Sequence, residues 1–199
     1  MIEFSAPAQV AVLVDAPNLE PLEPIFDALE GLPIDMWIAQ SAFIALGPSV
    51  AHHLRLAGFS SWLDLRLGGE AETVARSVEA VARIGVRGVT VDLASGADAA
   101  IAARKAARGR LKVIGVPNPL DRPEMAGVRA EIASKARLDG IYIGAEQPAS
   151  PRGQTIRRSD RAVAADLLIV AEAVLTAADP HAAATAIIDA QRAITGATP

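Results

Sequence analysis

Short apolar runs that each stop on a charged or polar residue recur along this chain, and a stretch with helical spacing follows nearly every one. Gln9-Val10-Ala11-Val12-Leu13-Val14-Asp15 is the first. A continuous apolar run of that length, closed by an acid, reads as a strand covered on both faces, which is the habit of parallel sheets. Further strands are expected over Ile34 to Ala39 (stopping at Gln40-Ser41), Phe59 to Leu65, Gly88 to Asp92 and Leu111 to Val116 (stopped by Pro117-Asn118-Pro119). Gly140 to Gly144 and Asp166 to Val170 complete the visible set.

Between them lie helices over Leu19 to Glu30, Ala42 to Leu56 with a break at Gly47-Pro48, and Glu70 to Ile84, where Val74, Val78 and Val81 keep helical spacing. Two more follow: Ala99 to Arg108, and a helix started by Asp121-Arg122-Pro123-Glu124, with Asp121 as cap and proline in the first turn. A last helix runs from Ala177-Ala178-Asp179-Pro180 to near Thr195. Strands alternating with helices imply parallel βαβ units. Seven strands are visible, and an eighth is sought around Gln154 to Arg157, within a polar segment rich in Pro, Gly and Arg. Eight would close a (β/α)₈ barrel; six or seven would equally suit an open doubly wound sheet.

With 199 residues the chain is expected to form a single domain over 1–199. No apolar run is long and uncharged enough for a membrane span, and Met1-Ile2-Glu3-Phe4 lacks the layout of a signal peptide, so a cytoplasmic protein is expected. The absence of cysteine excludes disulfides, thiolate nucleophiles and Cys-based zinc sites. A net charge of −4 without a basic block argues against nucleic acid as a partner. No Gly-x-Gly-x-x-Gly or phosphate loop follows any strand, so no nucleotide cofactor is expected. Only Lys105, Lys112 and Lys135 among the 19 basic residues are lysine, and none ends a strand, which disfavours Schiff-base chemistry.

Both architectures place ligands at the carboxyl ends of strands. There the chain offers Asp15, Asp64, Arg66 and Asp92, with Gln40, Asn118 and Gln154 as polar companions. Asp64 and Arg66 stand at i and i+2, hence on one face of a strand, just before a Gly68-Gly69 turn. Each has a plainer reading beside the functional one: Asp64 and Arg66 as a pair that fixes the turn, Asp15 and Asp92 as loop caps. His52-His53 cannot face one ligand from a helix, and Trp37 and Trp62 fit a core better than a binding platform.

The series of motifs resembles the orotidine 5′-monophosphate decarboxylase family. It is carried by Val14-Asp15 with Pro17-Asn18-Leu19, by Asp64-Leu65-Arg66 with Thr73 downstream, and by Val89-Thr90-Val91 with Ala94-Ser95-Gly96. The closing Leu168-Ile169-Val170 with Ala177-Ala178-Asp179-Pro180 completes it. The resemblance implies a (β/α)₈ barrel of that type, eroded around strands six and seven, and a homodimer with its barrel mouths near the shared interface.

Where the chain departs from the pattern, chemistry should depart too. Arg66 replaces the family's proton-donating lysine, and Gly69 replaces the second aspartate of its Asp-x-Lys-x-x-Asp segment. The second-strand lysine, or metal-binding glutamate of the sugar-phosphate relatives, falls at Ile38. A histidine of the family falls at Asp92, and Gln154 matches a seventh-loop glutamine. The phosphate-gripping Gly-Arg corresponds to Ala171-Glu172.

An arginine does not cycle protons near neutrality. A glutamate beside a phosphate costs about 4 kcal/mol per charge pair at close range. The expectation is therefore a lyase or isomerase working through an enolate-like intermediate on a small non-phosphorylated substrate, in specialised biosynthesis. Asp64, Arg66 and Asp15 would be catalytic, and Gln40, Asp92, Asn118, Gln154 and Glu172 would bind substrate, without metal or cofactor. The alternative is a non-catalytic barrel relative that binds a ligand or protein partner.

Overall fold

A computed structural model describes residues 9–118, 120–122, 124–143 and 153–196. Eight parallel strands close into a barrel in sequence order: β1 Val10–Val14, β2 Ile34–Ala39, β3 Ser60–Leu67, β4 Gly88–Asp92, β5 Lys112–Val116, β6 Gly140–Tyr142, β7 Gln154–Arg158 and β8 Leu167–Val170. The ring closes where Val10 of β1 pairs with Leu168 of β8. The open-sheet alternative is thereby excluded. The outer helices are α1 Glu23–Leu29, α2 Gln40–Leu46, α3 Ser49–Leu56, α4 Ala71–Val81, α5 Gly96–Ala107, α6 Met125–Lys135, α7 Glu172–Leu175 and α8 Pro180–Thr195. The stretch expected as one helix from Ala42 splits into α2 and α3 at Gly47, which adopts φ 65°.

Alternation along each strand sorts the side chains into two cores. Val10, Val12 and Val14 of β1, Met36 and Ile38 of β2, and Leu63 of β3 face outward and pack with helix residues such as Leu54, Val74 and Val78. Ala11, Leu13, Trp37, Trp62, Ile114, Ile156, Leu167 and Ile169 face inward and fill the lumen. The indoles of Trp37 and Trp62 stack at 5.9 Å and 25°, and Tyr142 leans on Trp37 at 6.5 Å. A wide ring on one strand needs a small residue on the next. Gly88 supplies it, since a Cβ there would collide with the Trp62 ring.

The floor of the barrel, at the amino ends of the strands, is closed by charge. Asp35 on β2 is 1% exposed and Arg87, just before β4, 8%. Arg87 Nε lies 2.9 Å from Asp35 Oδ2, which also accepts the Trp62 indole N–H at 2.8 Å. Burial pushes the Asp35 carboxyl up to about 6, and the Trp62 bond and the Arg87 charge pull against that rise.

The erosion expected near strands six and seven takes a definite form. β6 has three residues, and β7 passes to β8 through residues 159–166 with no helix between. β7 is the strand sought at Gln154. Its outward Thr155 and Arg157 are buried; the Thr155 backbone N–H bonds Asp166 Oδ2 at 2.7 Å and Arg157 Nε bonds the Ala164 carbonyl at 2.9 Å, both in this loop. Among the described residues, no helix is long and apolar enough to cross a membrane.

Candidate active site at the barrel mouth

β3 runs three residues past its neighbour's reach and carries an irregularity. Its register with β4 shifts between Leu63 and Leu67, and within that bulge Arg66 adopts φ 45°. A side chain held in the left-handed region costs about 1–3 kcal/mol and persists only where surrounding contacts impose it. One contact is plain: the Arg66 backbone N–H donates to Thr90 Oγ1 at 2.8 Å. The same Thr90 hydroxyl donates to Asp64 Oδ1 at 2.8 Å. Thr90 is fully buried, so β4 clamps the β3 bulge from inside the barrel.

Asp64 and Arg66 are close without being joined. Arg66 Nε lies 3.6 Å from Asp64 Oδ1, beyond hydrogen-bond range. Their side chains are 19% and 40% exposed, respectively. Both contacts to Asp64 fall on Oδ1, and Oδ2 has no hydrogen bond or ion pair among the described residues.

Tyr142, at the end of β6, is half-buried above Trp37. Burial holds its phenol above the ordinary value and the Asp64 charge adds to that, while Arg158 and Arg66 oppose it. The charges of Asp64, Arg158 and Arg66 therefore all reach Tyr142 at this end of the barrel. Thr90, Tyr142 and Arg158 were not singled out in the sequence. Strand alternation holds the signal, because Thr90 lies two before Asp92 and Arg158 four after Gln154.

The other expected residues divide. Asp15 follows β1 and accepts the hydroxyl hydrogen bond of Ser41, from the start of α2. Gln40 opens α2 and is exposed at the same rim. Asp92 closes β4, but its carboxylate takes the Ala94 N–H at 2.8 Å and so caps the following turn. Asn118 is turned into its own loop, where Oδ1 accepts from Leu120 N–H at 2.9 Å.

Asp121, expected as a helix cap, instead forms a two-pronged pair with Arg129 at 2.7 Å on each oxygen, and α6 starts only at Met125. Arg129 holds the Asp121 carboxyl below its usual range. Glu172 opens α7 and is exposed.

Two placements correct the expectation. Gln154 opens β7 at the floor end of the barrel, because the strand runs on to Arg158; the residue that reaches the rim from this strand is Arg158. Ile38 faces the helices, so the inward position at the end of β2 is Ala39.

The rim beyond β8 has a further feature. Asp160, in the β7–β8 loop, places Oδ1 2.8 Å from Ala171 N and 3.3 Å from Ala173 N, the leading amides of α7. In (β/α)₈ barrels the loops after strands seven and eight and a short helix start there frequently hold a phosphate. Here those amides already hold a carboxylate. Among the described residues no group of three or more His, Asp or Glu gathers in a way that would hold a metal ion.

No family model matches the chain. It is similar to the orotidine 5′-phosphate decarboxylase of Rhodopseudomonas palustris (strain BisA53), 29% identical over 96% of each chain. That of Halorhodospira halophila is 29% identical over 91% of this chain and 94% of its own. Among solved structures, orotidine 5′-phosphate decarboxylase from Lactobacillus acidophilus superposes with a TM-score of 0.79 at 20% identity, covering 92% of this chain and 99% of that one. An uncharacterized conserved protein from Geobacillus kaustophilus gives 0.80 at 20% identity, with the same coverage.

Proposed function

We propose, starting from a chain that is related to the orotidine 5′-phosphate decarboxylases along most of its length and folds into their type of barrel, that it no longer performs their reaction. In this reading it is a lyase or isomerase that forms an enolate-like intermediate on a small, unphosphorylated carbonyl compound. The observation that carries it is the clamped Asp64–Arg66 bulge. Thr90 Oγ1 ties the Asp64 carboxylate and the left-handed Arg66 backbone N–H at 2.8 Å each, and the Arg66 guanidinium stands 3.6 Å from that carboxylate.

Asp64 takes the proton from carbon α to the carbonyl through its free oxygen. Arg66 and Arg158 stabilise the oxyanion that develops, by charge and directed N–H groups. Tyr142, kept neutral by its surroundings, donates a hydrogen bond to a substrate oxygen. Asp15, with Ser41, and Gln40 orient polar substituents from β1 and β2, while Asp92 and Asn118 hold the loops that frame the opening.

The reading of an unphosphorylated substrate is supported by Asp160, whose carboxylate occupies the α7 amides, and by the exposed Glu172 beside them. A substrate phosphate would have to displace one acid and sit near another, at about 4 kcal/mol per close like-charge pair in a surface-like dielectric. The family resemblance adds a homodimer with neighbouring mouths to this proposal.

Solvent exchange tests the reaction class. Small unphosphorylated keto acids and hydroxyketones are incubated with the protein in D₂O, and deuterium entering the carbon next to the carbonyl is followed by proton NMR. Exchange on at least one compound is expected, with a loss of a hundredfold or more in Asp64→Asn and Arg66→Ala. Uridine monophosphate at millimolar concentration should leave the melting temperature unchanged. A catalogue of such compounds with no exchange, alongside ligand or protein capture at the mouth, would favour the non-catalytic relative instead. Decarboxylation of orotidine 5′-monophosphate would overturn both readings.

A further inference from the structure

On the face opposite the mouth, three neighbouring strand starts and the end of α5 enclose a recess of about 230 Å³. It is lined by Arg87 before β4, Lys112 at the start of β5, Asp139 before β6, Arg104 near the end of α5, and the Gly109–Leu111 turn with Arg110. Beside Arg87, which pairs with the buried Asp35, three further cations thus line the recess with one carboxylate.

Asp139 is already committed. Its Oδ2 accepts the Val113 N–H at 2.9 Å, and its Oδ1 stands 3.4 Å from Lys112 Nζ and 3.6 Å from Arg104 Nη2. Those separations are long for ion pairs, as expected where one oxygen is divided between two cations. Arg87 is held by the buried Asp35 behind it. Arg110 is exposed, and its guanidinium has no hydrogen bond or ion pair among the described residues.

Basic residues at a helix end have a plainer use, because they complement the carbonyl end of the helix dipole. That accounts for Arg104 and for Arg108, which continues α5 in the left-handed region. It does not account for Lys112, which stands on a strand, or for Arg87, which precedes one. Lys112, Arg104 and Arg110 set against the one carboxylate of Asp139 leave uncompensated positive charge in a recess. The recess is smaller than the roughly 300–1,000 Å³ of drug-sized ligand sites. Its size and charge suit a compact dianion rather than a nucleotide.

We propose that this recess binds a small oxyanion with two negative charges, as free phosphate or as the phosphate group of a small monoester, at a site independent of the mouth. Lys112 and Arg110 would supply the mobile donors and Arg104 a fixed one.

The test is calorimetric titration, at ionic strength held constant with sodium chloride, of inorganic phosphate and of glycerol 3-phosphate. The native chain is compared with Arg110→Ala/Lys112→Ala, and with Arg66→Ala/Arg158→Ala at the mouth. Both Arg110 and Lys112 are exposed, so the first double variant keeps its fold, checked by an unchanged melting temperature in phosphate-free buffer. Saturable binding at millimolar phosphate or tighter is expected in the native chain and the mouth variant. It should weaken at least tenfold in the recess variant. A monoester that binds tenfold more tightly than phosphate identifies the esterified form, and equal affinities identify the free ion. No saturable binding in the native chain overturns the proposal. So does binding that survives the recess variant, or binding lost in the mouth variant.

Discussion

The barrel carries two acid–arginine pairs at opposite ends, built from the same parts. At the floor, Asp35 and Arg87 meet at 2.9 Å, almost wholly buried, and Trp62 adds an N–H to the carboxylate. At the mouth, Asp64 and Arg66 stay 3.6 Å apart, open to solvent, with Thr90 supplying the hydroxyl. The floor pair is buried and in contact, and Arg87 donates a further bond to Ser60 Oγ at 3.0 Å. The mouth pair is held short of contact, on backbone that is strained rather than relaxed. Burial makes a charge pair structural, and exposure with incomplete pairing keeps it available for chemistry.

The largest expected effect attacks the floor. Asp35→Ala strips the buried Arg87 of its counter-charge and should cost about 3–5 kcal/mol in urea unfolding. Asp64→Asn at the mouth should cost less than about 1 kcal/mol. Comparable losses at the two positions would erase the distinction between the pairs.

Next comes pH. The Asp35 carboxyl titrates near 6 in the folded chain and near the ordinary 3.8 when unfolded, so the folded state binds the proton more tightly. Its contribution favours folding below pH 4 and is lost as pH rises to about 6, on the order of 3 kcal/mol in total. Subtracting the stability curve of Asp35→Asn from that of the native chain should expose this slope between pH 4 and 6. A difference that stays flat across the window would mean the floor carboxylate is better solvated than its burial implies.

The smallest effect has the opposite sign. Arg66→Gly removes the left-handed strain and should raise stability by up to about 1 kcal/mol, while it abolishes proton exchange. A loss of stability would make Arg66 a structural tie like its counterpart below.

Most of the barrel could be read from the chain because its outward strand faces are unbroken runs of Val, Ile and Leu, and such runs mean helices on the outside. β7 was the exception for a physical reason. With no helix between β7 and β8, the outward Arg157 side chain bonds the loop between them, so the strand reads Gln-Thr-Ile-Arg-Arg and hides its own direction. That is also why Gln154 was expected at the rim and lies at the floor.

At the mouth, Asp64 and Arg66 were legible from their spacing and the turn that follows. Their clamp was not, because Thr90 looks like an ordinary β-branched strand residue until β4 is set beside β3. Asp160 carries no local motif either, and its role exists only where the β7–β8 loop folds back over α7.

The stacked indoles have a practical consequence. The chain has two tryptophans, and both lie inside the lumen, stacked on each other at 5.9 Å. Intrinsic fluorescence is therefore a gauge of ring closure. Through the Trp62 N–H on Asp35, the same emission also registers the ionisation beneath it, so one optical trace follows both opening of the cylinder and the proton that helps seal its base.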